Sequence, residues 1–257
     1  MNDLIAQLTA WTGFAQDMLR VGLLVFLRVG AVMALLPAFG EQSVPQRVRL
    51  VLALAFTAII APAVTDKLPP DIIFTTILTE TACGLVIGIG LRLLIMALQI
   101  AGTMAAQATS LSQLFGGTTS EPQPAMSHLF VIGGLALASA LGLHVRAAEM
   151  MVLSYDVLPP GLLFGAADLA DWGLAQITRA FTLAFTLAAP FVVAATLYNV
   201  ALGVINRAMP QLMVVFVGAP ALTLGGLILL AITAPVLLSV WVAAFEATLQ
   251  NPFRAMP

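Results

Sequence analysis

Six long apolar runs, separated by polar segments, dominate the chain. They are Leu19–Phe39, Leu50–Val64, Ile72–Ala106, Leu129–Leu143, Ala180–Ile205 and Leu212–Phe245. A helix needs roughly 20 apolar residues to cross a bilayer, because each residue adds about 1.5 Å and the hydrocarbon core is about 30 Å thick. The pattern therefore predicts an all-α, polytopic membrane protein.

The runs are too uneven for a simple bundle of straight spans. Two have 15 residues, whereas the third and the last have 35 and 34. Glycine and proline disfavour a continuous helix, and breaks at membrane depth survive where protein or a cavity satisfies the backbone. We expect breaks inside the long runs at Gly88, Gly90, Pro220, Gly225-Gly226 and Pro235.

Two segments between the runs have the composition of loops. Thr109–Ser127 reads TSLSQLFGGTTSEPQPAMS, which is rich in glycine, proline and hydroxyl groups and contains a single charge. Such a segment is not expected to continue a helix. Val145–Thr178 contains several charges and Pro159-Pro160, and we interpret it as a second loop with an amphipathic stretch at Ala166–Phe181.

Composition supports a membrane environment. Hydrophobic residues make up 61% of the chain and charged residues only 9%, against about 25% charged residues in a soluble domain. The net charge of −2 argues against a nucleic-acid partner, which requires a basic surface. No Lys or Arg precedes Arg20, so we expect the first run to be retained rather than cleaved as a signal peptide.

Three charges lie inside apolar runs, namely Arg28, Glu80 and Arg92. An ion at the centre of the bilayer costs roughly 2.5–3.5 kcal/mol on insertion scales. Glu80 and Arg92 are twelve residues apart on one predicted helix, about 18 Å along it, so they cannot pair with each other. We expect each ion to contact another subunit, with snorkelling near helix ends as the alternative. Glu80 is interpreted as a tie between helices rather than as a proton relay.

The chain carries no recognisable catalytic or cofactor motif. His128 and His144 are sixteen residues apart, and the single Cys83 belongs to no metal-ligand pattern. No phosphate-binding loop, dinucleotide fingerprint or paired carboxylates are present. We therefore expect neither an enzyme nor a cofactor-binding protein.

Four stretches, in their order and spacing, carry a resemblance to a known family. The first runs from Arg28 through Gly40 into GEQSVPQRVRL. The second is Glu80 with GLVIGIGLR, whose Gly84 and Gly88 would allow close helix contact, although such glycine pairs also occur by chance. The third is 107–124 followed by Leu129–His144, and the fourth is LGVINRAMPQLMVVFVGAP from Leu202. Over almost the whole chain this resembles FliR, the R subunit of the flagellar export gate, which is related to T-type injectisome proteins.

The resemblance implies an assembly subunit of tilted, broken helical hairpins in the bacterial inner membrane. It implies a P-like part at 19–179 and a Q-like hairpin at 180–257. FliR-like proteins join P- and Q-type subunits around a channel in the flagellar basal body, and the B-type switch subunit and the A-type export subunit are further expected partners. Unfolded flagellar proteins would be the substrates. GEQSVPQRVR favours the flagellar over the injectisome branch.

The resemblance also implies roles for individual residues. The loop at about 107–127 corresponds to a channel plug, whose gating residues would be Leu111, Leu114, Phe115, Gly116, Gly117 and Pro122, with a passive surface loop as the alternative. Subunit contacts are expected at Arg28, Glu80, Arg92, Arg207 and Gln211. Turns and kinks are expected at Gly40, Pro45, Pro62, Pro190, Pro210 and Pro220.

The stretch Ile205–Leu212, INRAMPQL, separates two apolar runs without charges. Asn206 and Pro210 suit a helix end followed by a turn, and Arg207 suits a helix C-terminus, where the dipole is negative. With the resemblance, 206–211 is the tip of the Q-like hairpin, in contact with neighbouring subunits. A small-molecule permease or secondary transporter is the alternative for the whole chain, since buried ions and broken helices also occur there.

Overall fold

The computed structural model describes residues 2–41, 44–109, 125–162, 165–209 and 214–252. Within these ranges the chain forms seven α-helices and no strand. They are α1 (Asn2–Leu35), α2 (Gln46–Val64), α3 (Phe74–Thr109), α4 (Ala125–Ala140), α5 (Leu143–Val157), α6 (Ala166–Ala208) and α7 (Val214–Gln250), with a short 3-10 turn at Thr65–Lys67.

The helices end where the sequence disfavours continuation. Pro37 follows α1, and a residue before proline avoids the helical region. Pro45 occupies the N-cap position of α2. Gly142, between α4 and α5, has a φ of 78°, which a glycine adopts without steric cost. Pro159 and Pro160 follow α5 and cannot extend it.

The all-α, polytopic class is confirmed. Five of the described helical segments are long and apolar enough to cross a membrane, and a sixth span results if α4 and α5 together make one. The short run Leu129–Leu143 lies mostly in α4, and α6 extends far beyond the run at 180–205.

Several boundaries predicted from the sequence are wrong. Most of 145–178 is helical, since α5 and the start of α6 occupy it. The helix α5 buries apolar residues three or four positions apart while its charged residues lie between them, so charge content was a misleading sign of a loop. The first helix begins at Asn2 rather than near Leu19.

The expected breaks inside the long runs are also absent. The helix α3 continues through Gly88 and Gly90, and α7 continues through Pro220, Gly225-Gly226 and Pro235. A proline removes one backbone donor, but α7 continues as one helix past both Pro220 and Pro235. Pro62 and Pro190 likewise lie inside α2 and α6. Gly40 and Pro45 do lie in the turn between α1 and α2, whereas Pro210 lies outside the described residues.

The chain divides into two compact units. The first comprises 1–92, 142–173 and 247–257, and the second comprises 93–141 and 174–246. Three helices, α3, α6 and α7, therefore contribute residues to both. The division into a P-like part at 19–179 and a Q-like hairpin at 180–257 rests on resemblance to other export proteins, and it stays a prediction.

Candidate functional site

A fully buried ion pair joins α1 to α3 inside the first unit. The Arg28 Nε and Nη2 atoms donate to the two carboxylate oxygens of Glu80, each at 2.8 Å. Both side chains are 0% exposed. This parallel, two-bond geometry is the strongest arrangement available to an arginine and a carboxylate. The ion pair therefore neutralises both charges where an isolated ion would be costly.

The helix α5 completes the surroundings of Arg28. The Arg28 Nη1 donates to the Ser154 hydroxyl at 3.1 Å, and the Arg28 Nη2 also donates to the Leu158 carbonyl at 2.9 Å. The guanidinium carbon lies 3.7 Å from the centre of the Tyr155 ring, a cation–π contact. Ser154 in turn donates to the Met151 carbonyl at 2.6 Å. We call Arg28, Glu80, Ser154, Tyr155 and Leu158 the buried arginine cluster.

The sequence argument expected partners in other subunits for these ions, and the structure supplies them within the chain. Arg28 and Glu80 are also several residues from the nearest helix end, so snorkelling does not describe them. With both carboxylate oxygens engaged by Arg28, the geometry fits Glu80 as a tie between helices.

Two glycines of α3 allow α1 to approach closely next to this cluster. A Cβ at Gly84 would lie 2.3 Å from the Arg28 carbonyl oxygen, and a Cβ at Gly88 would lie 2.8 Å from the Leu35 Cβ. Because Glu80, Gly84 and Gly88 are spaced by four, they share one face of α3. The glycine pair therefore permits the helix separation at which the ion pair can form.

The connection between α1 and α2 is held by two more arginines. Arg92 of α3 forms an ion pair with the Glu41 carboxylate, and both side chains are partly exposed. The Arg49 Nη2 donates to the Glu41 carbonyl at 3.0 Å. Gly40 is required here, since a Cβ would lie 2.5 Å from the Ala34 carbonyl oxygen. Arg92, like Arg28 and Glu80, thus has a partner within the chain.

In the second unit, the helices on either side of 110–124 meet at the ends of that segment. The Thr109 hydroxyl and the Met126 sulfur are 3.9 Å apart. Ser127 donates to the Gln99 carbonyl at 3.1 Å, and a Cβ at Gly102 would lie 2.3 Å from the Ser127 Cα. Against Thr109 lies Gly226 of α7, where a Cβ would lie 2.6 Å from the threonine methyl. Thr109 and Met126, on either side of 110–124, thus lie together, and Thr109 contacts α7.

The predicted plug residues lie outside the described part of the chain. They are Leu111, Leu114, Phe115, Gly116, Gly117 and Pro122. The structure therefore describes the anchors of this segment, and the plug role stays a prediction.

The end of α6 carries the next predicted contact residue. Arg207 is exposed in the last turn of α6, where the helix dipole favours a cation. Close by, the Tyr198 hydroxyl donates to the Gly218 carbonyl of α7 at 2.9 Å, which joins the two helices near their connection. Gln211 lies outside the described residues, so the pairing of Arg207 and Gln211 with neighbours stays a prediction.

Much of the apolar surface is left uncovered by the chain itself. Of the most apolar window in Pro220–Gln250, only 17% is buried. On α6, Val193, Leu197, Val200 and Val204 are more than half exposed. These side chains need lipid or protein against them, since contiguous apolar surface of this extent is rare on soluble monomers.

Within the described part of the chain, no group of three His, Cys, Asp or Glu residues has a geometry that could hold a metal ion.

Comparison with known proteins gives this architecture a family. Residues 19–248 match the family described as bacterial export proteins, family 1. The flagellar biosynthetic protein FliR of Caulobacter vibrioides is 31% identical over 236 residues, which cover 89% of this chain and 94% of the relative. The chain belongs to the FliR family of bacterial export proteins.

More distant FliR proteins align over a similar extent. The FliR protein of Bacillus subtilis is 26% identical across 91% of this chain and 94% of its own length. The FliR protein of Escherichia coli is 27% identical across 82% of this chain and 83% of its own length. Family membership, together with the membrane-crossing helices, makes this chain a membrane protein of a bacterial export system. The permease alternative has no support from these relatives.

Sequence reasoning missed the contribution of α5 to the buried cluster. Tyr155 and Ser154 were assigned to a loop, so they were not considered as partners of Arg28. The signal that could have identified them is the spacing of Leu143, Ala147, Met151 and Tyr155, all buried on one face of α5.

Proposed function

We propose that this chain is a structural and gating subunit of the flagellar type III protein export channel. In this role it assembles with P- and Q-type subunits around a pore in the basal body at the inner membrane. The B-type switch subunit and the A-type export subunit are its further partners, and unfolded flagellar proteins are the cargo. The role is not enzymatic. Family membership supports the export function, and the uncovered apolar surface supports an assembly.

The observation that carries the gating role is the meeting of Thr109 and Met126. The described residues on either side of 110–124 lie together, so the 15 residues between them begin and end at nearly the same place. A fully extended chain of this length spans about 50 Å, so a returning loop reaches roughly 25 Å. That reach approaches the hydrocarbon thickness of about 30 Å, which is enough to enter a channel.

The composition of this segment suits a seal. Leu111, Leu114 and Phe115 supply apolar contacts, and Glu121 is its one charge. Apolar constrictions close pores by excluding water. Glycine and proline residues keep the segment from continuing α3 as a helix.

Partner identification tests the assembly. A tagged copy of the full chain, purified from gently solubilised membranes, should recover P- and Q-type export proteins at fixed stoichiometry. Recovery of the chain alone, as a monomer or homo-oligomer that binds a small solute, would instead favour a permease.

Loop variants test the gating role. Deleting 110–120, or replacing Leu111, Leu114 and Phe115 by serine, should make the membrane permeable to small solutes while the complex still assembles. The matched control replaces Thr118 and Thr119 by serine, which leaves the apolar groups intact and should keep the membrane tight. Tight membranes with a normally assembled triple variant would refute the plug role.

A further inference from the structure

An open groove lies between α1, α2 and α3 within the first unit. Its volume is about 440 Å³, within the range of about 300–1,000 Å³ typical of small-ligand sites. The lining is apolar along most of its length and polar at the start of α2, with Phe26, Gly30, Ala31, Leu85, Gln46 and Arg49 among the residues that form it. Gly30 and Ala31 are small and leave this space open.

We propose that this groove binds one anionic phospholipid, independently of the gating role proposed above. The phosphate contacts Arg49 at the start of α2, and an acyl chain follows the apolar lining.

Charge complementarity selects the headgroup. Arg47 is exposed and Arg49 is half-buried, both in the first turn of α2. This turn contains no acidic residue and no side-chain cap, so the helix dipole adds to their positive potential. The nearest acid along the chain, Glu41, is already neutralised by Arg92. Arg49 is held in place by the Glu41 and Val44 carbonyls and, among the described residues, forms no ion pair.

The position along the membrane selects a lipid over a soluble anion. Gln46 begins the apolar stretch Gln46–Lys67, so the two arginines lie where a span begins. From there the groove continues between Leu85 of α3 and Phe26 of α1, both inside membrane-crossing segments. Basic pockets between spans, next to apolar grooves, are the usual recognition sites of anionic headgroups.

Lipid exchange on the purified full-length chain tests the proposal. The chain is equilibrated in detergent micelles that contain equal amounts of phosphatidylglycerol and phosphatidylcholine with identical acyl chains, and the retained lipid is counted by native mass spectrometry. We expect one phosphatidylglycerol to be retained in preference. Arg49→Gln should weaken this retention about fivefold, from about 1 kcal/mol per basic side chain near a lipid headgroup. Arg179→Gln on α6 removes the same charge elsewhere and should have no effect.

A second pair of variants tests the groove itself. A Cβ at Gly30 meets only the Phe26 ring, at 3.8 Å, so Gly30→Leu is compatible with folding and fills the groove. Gly13→Leu adds the same bulk to α1 where nothing lies within 4 Å. Phosphatidylglycerol retention should be lost in Gly30→Leu and kept in Gly13→Leu.

Three outcomes would overturn the proposal: no preference for phosphatidylglycerol in the unmodified chain, equal retention by the two leucine variants, or no effect of Arg49→Gln. The same exchange on the assembled complex decides between lipid and protein. If Gly30→Leu changes nothing there, a subunit covers the groove and the lipid assignment is wrong.

Discussion

Replacing either Arg28 or Glu80 alone in the buried arginine cluster should lower the stability of the chain far more than replacing both. Glu80→Leu leaves the Arg28 guanidinium fully buried without its carboxylate, although Ser154 and Leu158 still accept hydrogen bonds from it. Loss of one partner of a buried pair costs about 3–5 kcal/mol, because an uncompensated charge stays in a medium of low dielectric constant. Arg28→Met should cost a similar amount, since it strands the Glu80 carboxylate.

The double variant Arg28→Met/Glu80→Leu should recover most of that loss. Apolar side chains of similar volume replace a buried ion pair at little cost or with a gain. A residual loss of about 1 kcal/mol is expected, because the Ser154 hydroxyl and the Leu158 carbonyl lose a charged donor. The coupling between the two sites is then at least about 5 kcal/mol, well above the typical range of errors in additivity.

The stability of each variant is measured by heating the purified chain in detergent and recording by gel filtration how much folded protein remains. Arg92→Met is the matched control, because it breaks a pair whose side chains are 29% and 21% exposed and should cost only about 0–1 kcal/mol. Single variants as mild as the control, or a double variant whose loss is the sum of the singles, would refute the account of the cluster as a buried, mutually neutralised pair.

Further variants test packing and contacts elsewhere. Gly84→Ala should sharply lower the yield of folded protein because its Cβ would collide with the Arg28 carbonyl, whereas Gly225→Ala, with nothing within 4 Å, should stabilise α7 by about 0.5–1 kcal/mol in the same unfolding assay. Trp241→Phe should lower the stability of the chain by about 1 kcal/mol or more, since the indole N–H donates to the Leu94 carbonyl at 2.9 Å and the side chain is fully buried. Arg207→Ala should impair motility and co-purification of partners more than Arg254→Ala does, and equal, mild effects would reduce 205–212 to an ordinary turn.

The apolar periodicity made the fold class predictable, because a membrane imposes a minimum length on every helix. Local chemistry also allowed the turn at Gly40 and Pro45 and the close approach at Gly84 and Gly88 to be anticipated. In the structure, Gly40 and Pro45 lie between α1 and α2, and a Cβ at Gly84 or Gly88 would lie 2.3 Å or 2.8 Å from an atom of α1.

Tertiary pairing was not predictable from the sequence. Arg28 and Glu80 are 52 residues apart, and Arg28 and Ser154 are 126 apart, so no local pattern connects them. The helix α5 was missed because its charges were weighed more heavily than its buried face. The helices α3 and α7 continue through Gly88 and Pro220, where breaks were expected.

The internal pairing of the ions changes what can hold this subunit to its neighbours. Three of the side chains expected to contact other subunits pair within the chain instead: Arg28 and Glu80 are buried together, and Arg92 binds Glu41. Two requirements then fall on the remaining surface: it must be apolar, and it must tolerate close helix approach. The exposed apolar side chains of α6 and α7 meet the first, and Gly203 and Gly225, with nothing within 4 Å, meet the second. Assembly is therefore expected to depend on packing of small and apolar residues, with Arg207 adding a polar contact at the end of α6.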